Sequence, residues 1–109
     1  MPATAPPLAF LSFDASTDTG GVHTFDALAS TSVERHAEVR AEAQAVLAWA
    51  ERRFPDGPGD LDEGASWCHD LQVSREGDWV TVSLSLSGTE AFGAAFARAF
   101  ADAIGQGTD

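Results

Sequence analysis

The sequence predicts an α+β fold: a two-layer sandwich in which an antiparallel four-stranded sheet, built in the order ββαββα, carries two helices packed on one face. Three observations predict it. Residues 79–87 alternate between bulky apolar side chains (Val80, Val82, Leu84, Leu86) and small hydroxyls (Thr81, Ser83, Ser85, Ser87), the period-two signature of a strand with one buried face. Two other stretches, 30–54 and 89–105, repeat apolar residues at three- and four-residue steps, as a helix with a single core-facing stripe does. The chain has 109 residues and is 44% hydrophobic, which is enough to close one core without a metal or a disulfide. Strands with one apolar face and helices with one apolar stripe bury both by stacking as two layers.

Along the chain, residues 1–7 (MPATAPP) read as an irregular arm, 8–105 as a single domain and 106–109 as a frayed tail. LAFLSFDA, residues 8–15, is short and rich in bulky apolar groups, so it is expected to be a strand. Gly20-Gly21 then supplies positive φ for a turn that Asp18 can cap, and residues 22–30 are expected to return as the second strand. A long helix follows. Ser30, Thr31 or Ser32 serves as its N-cap, and Glu34 opens and Arg52-Arg53 close it with favourable charges. Val39, Ala43, Val46, Leu47, Ala50 and Phe54 form its stripe, and Glu34, Glu38 and Glu42 make a like-charge i,i+4 series on its polar side. PDGPGDLDEG is a loop.

The next two strands can be placed in register from sequence. Gly77-Asp78 is a two-residue hairpin signal between SWCHDLQVSRE and WVTVSLSLS. It sets Glu76 opposite Trp79, Ser74 opposite Thr81, Val73 opposite Val82, Leu71 opposite Leu84 and His69 opposite Leu86. A slip of one residue would scramble the match of apolar with apolar. The second helix starts from Thr89 as N-cap, or from a Ser87-x-x-Glu90 capping box, and Gly105 ends it. Phe92, Phe96, Phe100 and Ile104 are its anchors.

Charge limits the partners. Seventeen acidic residues face six arginines and no lysine, a formal −11. Phosphate backbones and anionic lipid surfaces repel such a chain, so neither nucleic acid nor membrane is expected as a partner. Arginine without lysine, together with abundant alanine, fits the codon usage of a GC-rich bacterial genome. A salt-adapted proteome or a basic protein partner would fit the acidity as well. The apolar run Leu8–Phe13 is too short to span a bilayer, and no basic residue precedes it as in a signal peptide; a cytoplasmic protein is the expectation.

Catalytic chemistry finds little support. His69-Asp70 resembles a dyad, but neighbours on a strand point to opposite faces. A zinc set drawn from His23, Cys68, His69 and Asp70 meets the same objection. The acidic loop with Asp56, Asp60, Asp62 and Glu63 lacks the order of an EF-hand. His36 reads as part of a solvated helix face. Cys68 has Asp70 and Ser87 as neighbours, which do not activate a thiol. There is no GxSxG elbow and no phosphate-binding glycine loop. No catalytic, cofactor or metal residue is therefore assigned.

The open face of the second hairpin then remains: Cys68, Asp70, Gln72, Ser74, Glu76, Trp79, Thr81, Ser83, Ser85 and Ser87. On the first hairpin, Leu8, Phe10, Val22 and Leu28 are expected to point the same way, away from Leu11, Phe13 and Phe25. Trp79, Thr81, Ser83, Ser85, Phe10 and Leu28 are thus the candidate interaction face, an apolar patch beside a flat hydroxyl surface. The reading leans to a non-enzymatic module that forms a homodimer or binds a protein partner. An acidic inhibitor of a basic protein is a specific version. A small enzyme with a site between the sheet and loop 55–65 is the competing class.

Overall fold

A computed structural model describes residues 8–59 and 61–104; the expected arm, the tail and Gly105 lie outside the described residues. The elements are β1 (Phe13–Thr17), β2 (His23–Ser32), α1 (His36–Arg53), β3 (Trp67–Glu76), β4 (Trp79–Gly88) and α2 (Glu90–Ala99). The ββαββα order and the antiparallel four-stranded sheet are as the sequence predicts, and of the expected strand 22–30 residues 23–30 are strand. The strands lie in the order β1-β2-β4-β3, so the two long strands β2 and β4 form the centre. Each hairpin contributes one central and one edge strand.

The β3–β4 register agrees with the sequence pairing at every residue, from Glu76 opposite Trp79 to Cys68 opposite Ser87. Gly77, at φ 63°, supplies the left-handed turn residue. Across the sheet the same rule makes continuous rows: Phe13, Ala27, Leu84 and Leu71 lie side by side on the helix-facing surface.

Both helices cover that surface over β2 and β4. Phe96 sits at the centre of the aromatic core, with ring centroids 4.4 Å from Phe25, 4.6 Å from Phe100, 5.1 Å from Phe13 and 5.8 Å from Trp49. Thr89 is the N-cap of α2, its hydroxyl accepting from the Phe92 N–H at 3.3 Å. The helix lands on the row His23–Gly88–Trp67, which has room for it. A Cβ on Gly88 would come within 2.4 Å of the Phe92 ring, and one on Gly93 within 2.4 Å of His23. Trp67 stacks on Phe92 at 5.8 Å, and its indole N–H donates to the Phe54 carbonyl at 3.0 Å.

Four expectations need correction. β1 begins at Phe13 instead of residue 8, because the preceding N–H groups are taken by a helix. The Glu42 carboxylate accepts from Ala9 at 2.6 Å, Phe10 at 3.0 Å and Leu11 at 3.1 Å. α1 begins at His36, since Ser30–Ser32 are still paired with β4 and a 3-10 turn, Val33–Arg35, intervenes. Trp49, left out of the stripe, is buried in the core, while Leu47 and Phe54 are only partly covered. α2 ends at Ala99 and tightens into a 3-10 turn, so Ile104 leaves the helix and bridges to Phe13 beside β1.

The Glu42 contact turns one member of a like-charge series into an anchor for the segment before β1. Hydrogen bonds to a charged group contribute about 1.5–3 kcal/mol, and Glu42→Ala is expected to lower stability by that amount. Urea denaturation checks it; a loss below about 0.5 kcal/mol would show that water replaces the carboxylate without penalty.

Candidate functional site: the open face of the sheet

Among the described residues, no helix lies on the second face of the sheet. Period-two alternation places Cys68, Asp70, Gln72, Ser74 and Glu76 of β3 and Trp79, Thr81, Ser83, Ser85 and Ser87 of β4 there, as the sequence predicts. β2 adds Thr24, Asp26, Leu28 and Ser30, and β1 adds Asp14 and Ser16. The hydroxyls of this face partly satisfy one another across strands. Thr24 and Ser87 share a hydrogen bond of 3.0 Å, and Ser30 and Thr81 share another. Such cross-strand pairs contribute roughly 0.2–1 kcal/mol each.

Two large apolar groups stand out of this flat polar surface. Leu28 is 66% exposed and Trp79 59% exposed. They are separated along the sheet by the Ser30–Thr81 pair, and Ser83 is the cross-strand neighbour of Leu28. Phe10 does not join them. It lies before β1 against the core on the helix side, where Glu42 fixes its backbone, and Leu8 packs there too. Val22 lies in the turn before β2 and is half-buried. The reason is again the late start of β1: residues outside the ladder do not follow its alternation.

An acidic row crosses the same face. Asp14 lies opposite Asp26, Asp26 opposite Ser85, and Ser85 opposite Asp70. Like charges directly opposite one another are unfavourable within the sheet. Gln72 donates to Asp70 at 2.9 Å. Asp14 and Asp26 were missing from the sequence-predicted face, although their alternation with Phe13, Phe25 and Ala27 carried the signal.

The chemistry-bearing residues do not converge. Cys68 and Asp70 lie on the open face, whereas His69 lies on the other and is exposed, its ring 5.8 Å from that of Trp67. His69 shares the core-facing side as expected, but it is exposed there, while Leu71 on the same side is half-buried. His23 lies under α2 and its Nδ1 is 3.1 Å from the Thr17 hydroxyl. His36, expected on a solvated face, opens α1 half-buried, with its Nδ1 out of water. Among the described residues, no three His, Cys, Asp or Glu side chains are grouped to hold a metal ion.

Loop 55–65 lies down on the sheet end. Gly57 packs against the Trp67 indole, and the Ser66 hydroxyl donates to Asp56 at 2.6 Å. A groove of about 560 Å³ lies elsewhere, between α1 and α2, with Trp49, Arg53, Arg98 and four alanines as its walls. No described helix is long and apolar enough to cross a membrane.

Compared with known proteins, the chain matches no family model, and no curated protein or solved structure is similar to it at a significant level.

Proposed function

We propose that this protein is a non-enzymatic binding module that works by self-association and by presenting the open face of its sheet to a protein partner. The observation that carries the partner-binding half of the reading is the sheet face left uncovered by the described residues, with Leu28 and Trp79 standing out of a flat, hydroxyl-rich surface. Contiguous exposed apolar surface marks contact sites, and Leu28 and Trp79 share one face, flanking the Ser30–Thr81 pair. Cys68 and Asp70, by contrast, lie on one face of β3 and His69 on the other.

A homodimer is the expected state, since C2 pairing is the commonest symmetric solution. Light scattering at tens of micromolar should return twice the 11.4 kDa chain mass. A monomer mass under these conditions would overturn the self-association.

A second reading is favoured by the acidic row. Asp14, Asp26 and Asp70 give the open face a charge that complements a basic surface, which suits an acidic inhibitor of a basic protein. The same row opposes stacking two copies face to face. The two parts of the proposal therefore fall on different surfaces: a basic partner on the face, and a second copy elsewhere.

A further inference from the structure

The two outer edges of the sheet are handled differently. β1 is only five residues long, and Ile104 meets its outer side at Phe13. β3 is ten residues long, runs along β4 in unbroken register without a bulge, and has no strand on its other side among the described residues. Natural edges are blunted by proline, charged side chains, bulges or shortness. Trp67–Glu76 has no proline and no bulge and is not short, and its charges are confined to Asp70, Arg75 and Glu76.

The two-residue turn determines which backbone groups face outward. Glu76 and Trp79 flank it as a hydrogen-bonded pair, so alternation along the ladder turns the N–H and C=O of residues 67, 69, 71, 73 and 75 away from β4. The Trp67 carbonyl is already taken by the Gly59 N–H at 3.0 Å. His69, Leu71, Val73 and Arg75 are left with a strand-shaped row of donors and acceptors. On the helix-facing surface of the same residues, Leu71 is half-buried and Val73 is 47% exposed, because α1 and α2 lie over β2 and β4.

We propose that a second copy of this chain pairs antiparallel with the β3 edge, joining two four-stranded sheets into one of eight strands about a two-fold axis at Leu71. The inference rests on the self-association proposed above and names its surface. Avoidance of like-charge pairs narrows the choice of axis, and the apolar residues favour Leu71. Centred on Leu71, Leu71 meets its own counterpart, His69 meets Val73, Asp70 meets Gln72 and Cys68 meets Ser74. No like charges are opposed, and Leu71 and Val73 of the two copies merge into one apolar strip. An axis at Asp70 would oppose that carboxylate with itself, and one at Val73 would oppose Asp70 with Glu76. Like charges directly opposite one another destabilise a strand pair. Each copy also carries a formal −11, so the dimer should tighten as salt screens that repulsion.

Sedimentation velocity over micromolar to tens-of-micromolar concentration tests this, with circular dichroism reporting the fold. Gln72 is exposed, so its variants keep the fold. Gln72→Asp faces Asp70 twice per dimer and should raise the dissociation constant at least ten-fold. Gln72→Arg should lower it several-fold. Leu28→Arg, two strands away on the open face, should leave it unchanged. The amides of Leu71 and Val73 should exchange more slowly as concentration rises, while that of Gln72, already paired with β4, should not respond. A dimer that Leu28→Arg dissociates and Gln72→Asp leaves intact would overturn the edge and keep self-association. A monomer at every concentration would overturn both.

Discussion

Phe96→Ala is expected to destabilise the protein by about 3–5 kcal/mol, the usual range for truncating a buried phenylalanine. Phe96 is fully buried and touches aromatic rings from β1, β2, α1 and α2 itself, so its loss opens a void where both layers meet. The surrounding rings are stiff and already packed edge to face or tilted, which limits collapse into the space. Domains of this size have about 5–15 kcal/mol in total, so the variant should keep only part of its stability. The melting temperature should fall by roughly 12 °C or more. Thermal and urea denaturation followed by circular dichroism measure it. A loss below about 1 kcal/mol would mean that α2 does not seat on the sheet through this residue.

Leu84→Ala should cost about 2–5 kcal/mol. Leu84 is fully buried on β4, between Ala27 on one side and Leu71 on the other. Ala27 is too small to fill the vacated space, which places the expected loss in the middle of that range or above. Ser83→Ala, one residue earlier and on the opposite face, should change stability by less than about 0.5 kcal/mol. The contrast matters more than either value, because adjacent residues on one strand report separately on the two faces. If the two variants destabilise equally, the open face is covered within the chain and the two-layer architecture fails.

The second hairpin was legible almost to the residue. Its register follows from one two-residue turn and a period of two, both local rules that neighbouring elements do not disturb. The first hairpin was legible in kind but not in extent. Leu8–Leu11 have strand-like composition, and only the arrival of Glu42 from α1 gives their N–H groups another partner. Trp49 was missed for a related reason. It lies beside Ala50 at the margin of the stripe, and the rings of Phe96 on α2 and of Phe100 just after it decide that it is covered.

The candidate surface divides the same way. The hydroxyl face of β3 and β4 could be read from alternation alone, whereas the acidic row of Asp14, Asp26 and Asp70 needs the strand order β1-β2-β4-β3. By itself the sequence determined the elements, the pairing of the second hairpin and which side of each strand is apolar, because turn chemistry and side-chain periodicity act within a few residues. Only the tertiary structure decided that β3 is an edge strand of the described sheet, that Leu71 and Val73 are less covered than Leu84, and that Phe10 lies with the core. Those outcomes depend on where the helices come to rest, and that is set by packing among residues far apart in the chain, Phe96 over Phe25 and Phe92 over Gly88.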